Sequence, residues 1–121
     1  MDACGLRDAD LDAWVAIAQG HRDVRVIVAG GQRECRSVRP GASQPQRYDP
    51  SADWDLAEPI IDAAHIGLRD MEGCRAEPLF EAMLRHDDIT WFAEGELPLI
   101  AAMRVYVRSR FSDEQLRAPP F

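Results

Sequence analysis

Val24-Arg25-Val26-Ile27-Val28 is a β-branched, alternating run that ends two residues before Gly30-Gly31. This short passage constrains the fold more than any other. A strand that meets two adjacent glycines turns back on itself, because glycine alone adopts positive φ without steric cost. Gln32 to Val38 then returns as the second arm of a hairpin, and the pairing is antiparallel with no crossover helix. The rest of the chain repeats the theme of short elements. A helix is predicted from about Asp8 to Gln19, with Leu11, Val15 and Ala18 on an apolar stripe beside Trp14. Asp8 or Asp10 caps it, the acids at 8, 10 and 12 suit the positive end of the helix dipole, and Gly20 ends it. A second helix starts with Pro59 in its first turn and runs to about His65. Ile66 to Met71 and Cys74 to Glu77, separated by Glu72-Gly73, form a second hairpin. Residues 79–86 fit either a helix or a loop between strands, and Ile89 to Ala93 reads as a strand ended by Gly95. The last helix spans about Leu97 to Arg110, with Leu99 or Ile100, Met103, Tyr106 or Val107, and Phe111 facing the core. Three helices on a short-stranded, mainly antiparallel sheet, without regular βαβ alternation, give an α+β fold.

At 121 residues the chain is expected to form a single domain, with a loose tail from about residue 113. It lacks both an apolar run of membrane-spanning length and a secretory leader pattern, so a cytoplasmic protein with no membrane partner is expected. Cys4, Cys35 and Cys74 form no Cys-x-x-Cys pair and are read as reduced thiols. All 14 basic residues are arginine, and the net charge is −7. The charge is uneven, because residues 21–47 carry six arginines against only Asp23 and Glu34. The acidic balance elsewhere makes the chain a poor candidate for duplex nucleic acid, and no such partner is expected. Only the arginine-rich segment suits an anion, and its simplest reading is a solvated face paired with the acidic remainder.

Few patterns carry chemistry. Asp8-Ala9-Asp10-Leu11-Asp12 begins like a calcium loop, but Ala13 stands at the glycine position and Gln19 at the bidentate glutamate position. Val28-Ala29-Gly30-Gly31 lacks the remaining residues of a phosphate loop. His65 and His86-Asp87-Asp88 have no metal-ligand spacing, and no serine or cysteine sits in a nucleophile context. No cofactor, metal or catalytic residue is expected, and the chain is read as non-enzymatic. The segment Tyr48-Asp49-Pro50-Ser51-Ala52-Asp53-Trp54 stands out by setting two aromatics among acids on a loop that enters a helix. Either it lines a site, or Trp54 plugs the core, Asp53 caps the next turn, and Asp49 and Ser51 form the turn. Trp14, Tyr48, Asp49, Ser51, Asp53, Trp54 and Arg104 are therefore the candidate binding residues.

Leu11-Asp12-Ala13-Trp14-Val15-Ala16, the Tyr48–Trp54 segment, Pro59-Ile60-Ile61 and Pro98-Leu99-Ile100-Ala101-Ala102-Met103-Arg104 occur in an order that resembles the phage NinX-like family. The resemblance covers Leu11 to about Glu114. It brings no catalytic residues, and it implies an intracellular accessory protein of tailed phages that acts on host processes. Two functions fit this expectation. The first is a binder that neutralises a host component, such as a protein of antiphage defence whose basic groove accepts an acidic face. The second is a binder of a small anionic ligand such as a nucleotide. There an arginine of 21–47 or Arg104 forks onto phosphate while Trp54, Tyr48 or Trp14 stacks on a base. A homodimer is the default assembly for either.

Overall fold

A computed structural model describes residues 6–71 and 79–121. Helix α1 (Asp8–Ala18) leads into strands β1 (Arg22–Ala29), β2 (Gln32–Val38) and β3 (Gln46–Arg47), which form one antiparallel sheet in the order β1-β2-β3. Helix α2 (Trp54–Ala64) follows, then β4 (Gly67–Asp70), β5 (Phe80–His86) and β6 (Ile89–Gly95), a second antiparallel sheet in the order β4-β5-β6. Helix α3 (Pro98–Arg110) and the short α4 (Asp113–Leu116) complete the chain. The fold is α+β, with the strands divided between two small sheets rather than gathered in one.

Packing runs from the first sheet through α1 to α3, and from α3 to the second sheet. α3 is the centre of the core. Leu99, Ile100, Ala101, Ala102, Met103, Val105, Tyr106 and Val107 are all buried on it, and its polar positions are Arg104, Arg108, Ser109 and Arg110. Small side chains let the neighbours approach closely. A Cβ added at Gly95 would lie 2.7 Å from the backbone nitrogen of Ala101, so that glycine is required by the contact of β6 with α3.

The first hairpin forms as its pattern predicts, with Ala29 opposite Gln32 across Gly30 and Gly31, both at positive φ. Other boundaries differ from expectation. α1 has Arg7 at its N-cap with no side-chain cap, so neither Asp8 nor Asp10 plays that part. α2 begins five residues before Pro59. Asp53 caps it by accepting from the Asp55 amide at 2.9 Å, and Pro59 lies inside the helix on an exposed face. Proline costs a helix one amide donor, and water satisfies the freed carbonyl when that face is open. Residues 80–86 are a strand. Phe80, Ala82 and Leu84 alternate inward, and this period of two prevails over the helical spacing of the same apolar residues. β4 pairs with this strand. The strand expected at Cys74 to Glu77 and its Glu72-Gly73 turn lie outside the described residues, as do Cys4 and Cys74. Cys35 is a buried free thiol.

Beyond residue 113, where a loose tail was expected, α4 carries a capping box between Ser112 and Gln115 and buries Leu116. Phe121 returns to meet the Trp14 ring edge-on at 5.5 Å, and Phe111 tilts against the same ring at 4.8 Å. An aromatic cluster of this kind supplies enough apolar area to order a segment that composition alone marks as polar. Among the described residues no helix is long and apolar enough to cross a membrane.

Candidate functional site

An open cleft of about 640 Å³ lies between the first turns of α1, the outer edge of β2 and the 47–52 loop. At its floor lies Asp12, only 3% exposed, on the part of α1 that is otherwise apolar from Leu11 to Ala16. Both carboxylate oxygens of Asp12 accept from one residue. The Ser51 amide donates to Oδ1 at 2.9 Å, and the Ser51 hydroxyl donates to Oδ2 at 3.0 Å. The loop is shaped for this. The amides of Ala52 and Asp53 both donate to the Asp49 carbonyl, and this tight turn presents the Ser51 amide to the helix. Ser51 thereby latches the loop onto α1.

Burial pushes the Asp12 carboxyl up to about 7. The two Ser51 bonds favour the ionised form and the nearby carboxylates of Asp49 and Asp8 oppose it, but desolvation outweighs both. Near neutral pH the floor of the cleft therefore holds a carboxyl that interconverts between acceptor and donor. Cys35 lines the same cleft, and burial followed by the charges of Asp12 and Asp49 pushes its thiol up to about 12. It is an inert thiol rather than a nucleophile. The walls carry both signs. Arg33 forks onto Asp10 at 2.8 and 3.1 Å, Arg47 lies 3.6 Å from Asp49, and Arg7 at the rim pairs with Glu96.

The structure separates the seven sequence candidates. Asp49 and Ser51 line the cleft. Tyr48 is buried behind it, with its ring 4.4 Å from that of His21 and the Arg39 guanidinium 5.8 Å above it. His21 in turn meets the Ser37 hydroxyl at 2.7 Å, and burial, with help from Arg39, holds its imidazole below the usual histidine value. Asp53 caps α2. Trp54, on the first turn of that helix, is 51% exposed and neither plugs the core nor lines the cleft. Trp14 is buried in the aromatic cluster with Phe111 and Phe121. Arg104 donates to the carbonyls of Leu6 and Glu94 at 2.8 Å, which ties the segment before α1 to the end of β6. The sequence reading missed Asp12 and Cys35 as cleft residues, while Arg33 and Arg47 belong to the 21–47 arginine segment it had set out for an anion. For Asp12 the signal was present, since a carboxylate between Leu11 and Ala13 interrupts an apolar stretch and needs a buried partner. The other acidic ligand-like group, His86 with Asp87, is an exposed pair at 3.6 Å, and no group of three metal-ligating side chains occurs among the described residues.

The fold and this cleft define a small α+β domain with a polar concavity over a buried carboxyl. Its family is shown by a match of residues 2–110 to the model described as Bacteriophage P22, NinX, and the chain belongs to that family. It is a phage accessory protein. No curated protein matches it.

Proposed function

We propose that the protein acts by binding, not by catalysis, and that it neutralises a host component by sequestering a small polar molecule in the cleft over Asp12. The observation that carries this reading is the Asp12–Ser51 pair. It puts a buried carboxyl of near-neutral titration at the floor of a cavity whose volume falls in the usual range for small-molecule sites, about 300–1,000 Å³. In the walls, Asp8, Asp10, Asp49 and Glu34 outnumber Arg7, Arg33 and Arg47. That balance, with each arginine already paired to an acid, favours a ligand that offers hydroxyl, amide or amine donors over a polyanion. Trp54 stands outside the cleft, so base stacking on it has no part in the reading.

Native mass spectrometry of the protein purified gently from bacterial cells tests this. The expected result is a bound mass of a few hundred daltons that disappears in Ala52→Trp, where an indole on the exposed rim fills the cleft without touching Asp12. A bare chain from infected and uninfected cells alike, or a bound mass that Ala52→Trp leaves in place, refutes it.

A further inference from the structure

Strand alternation in the second sheet turns Ala82, Leu84 and Ala93 into the core and leaves the opposite face open. On that open face Met83 and Phe92 stand directly opposite each other in register, 44% and 46% exposed. Charge flanks this apolar centre unevenly. At one end Glu81 is opposite Glu94, a like-charged cross-strand pair that destabilises a sheet unless a cation compensates. Arg69 of β4 reaches Glu81 at 3.1 Å, whereas Glu94 has no ion pair among the described residues. At the other end of β5, two residues past Met83, Arg85 faces Thr90 and also has no ion pair among the described residues. Among the described residues, one acid and one base without an ion pair thus lie on either side of an exposed apolar pair.

We infer that this face is the contact surface of a homodimer, with a second copy of the chain as its occupant. A two-fold axis across the strands at the level of Met83 and Phe92 stacks the two sheets face to face. Each Met83–Phe92 pair then covers the other, and each Arg85 comes to the Glu81–Glu94 end of the opposite copy. The self-complementarity of the charges selects this occupant. An unrelated partner has no reason to need an acid and a base at symmetric positions about one apolar centre, whereas an isologous contact needs just that. The face is three strands wide, which falls short of the roughly 20–30 residues a side of a standard interface, so the dimer dissociates in the micromolar range. None of these residues lines the cleft over Asp12, and the two readings stand or fall separately.

Analytical ultracentrifugation of the full chain over a concentration series is the test. The expected mass rises from the 13.6 kDa monomer toward twice that value. Phe92→Asp should remain monomeric throughout. Arg85→Glu and Glu94→Arg should each weaken association about tenfold, since two attractive contacts per dimer become repulsive. The double variant, Arg85→Glu with Glu94→Arg, should recover to within about threefold of the original. These charge changes lie on the solvent side, and circular dichroism confirms that each variant is folded. A monomer at every concentration overturns the inference. So do single reversals without effect, or a double variant that fails to recover.

Discussion

Replacing Asp12 by asparagine should remove a pH dependence of folding whose size follows from the burial of this one carboxyl. Its value rises from an ordinary 3.8 to about 7 in the native state, so the folded protein binds the extra proton. Acid therefore stabilises the fold through this group. The benefit is complete below about 3.8 and is lost as pH rises through about 7. Between about pH 5 and about pH 8 the linkage integral gives a loss of about 2.5 kcal/mol, a large fraction of the stability of a domain this small. Histidine 21 works in the other direction. Its native value is lowered, so it adds stability as pH climbs toward its ordinary value, and it masks part of the Asp12 trend. The comparison with Asp12→Asn removes that overlap, because His21 is common to both proteins. Asparagine keeps an oxygen to accept the Ser51 amide, so the latch survives in outline while the titration disappears. Urea denaturation at the two pH values should give a wild-type-minus-variant difference that shifts by about 2.5 kcal/mol in favour of the variant on going to high pH. A difference that stays constant within about 0.5 kcal/mol, or that moves in favour of the wild type, would refute the claim that desolvation dominates at Asp12.

Gly95→Ala should destabilise by about 2–3 kcal/mol, because its methyl group meets the Ala101 backbone, which cannot swing aside as a side chain would; thermal melts read this as a lowered Tm. The two tryptophans should behave oppositely under alanine substitution. Trp14→Ala empties the aromatic cluster and should cost about 3–5 kcal/mol, while Trp54→Ala on the exposed turn should cost below about 1 kcal/mol in the same denaturant titration. Cys35 should resist a thiol-specific reagent in the native protein near pH 8 and react only at the rate of unfolding, so labelling followed by peptide mapping that shows prompt modification of Cys35 would contradict its burial.

Legibility in the sequence followed the strength of local patterning. The first hairpin and α3 were readable because a β-branched run ending at two glycines, and an apolar face that repeats at helical spacing from Leu99 to Val107, each admit one local solution. α2 was misplaced at its start. Proline in a first turn is the commoner arrangement, and the Asp53 cap, which the sequence offered as one reading of the 48–54 loop, marks the earlier beginning. Residues 79–86 have spacing that suits a helix as well as a strand, and the choice is made by pairing with β4 and β6, which the segment itself does not encode. The site followed the same rule. The 48–54 loop was visible from its composition, but Asp12 and Ser51 are thirty-nine residues apart and meet only in the folded chain.

The cleft owes its existence to a strand that stops early. β3 pairs with β2 only at Arg36 and Ser37, after which the Tyr48 amide makes one more bond to the Cys35 carbonyl and the chain turns away. Gln32, Arg33 and Glu34 are thereby left along the cavity wall with no third strand beside them. The concavity is thus a vacancy in a sheet, floored by a helix, more than a pocket carved by side chains. Continuing the pairing through Tyr48 and Asp49 would set them beside Cys35 and Glu34 and close it. The course of residues 48–53 after β3 is then the variable that sets the size of the concavity, and insertions or deletions there should alter its volume more readily than point substitutions in the walls.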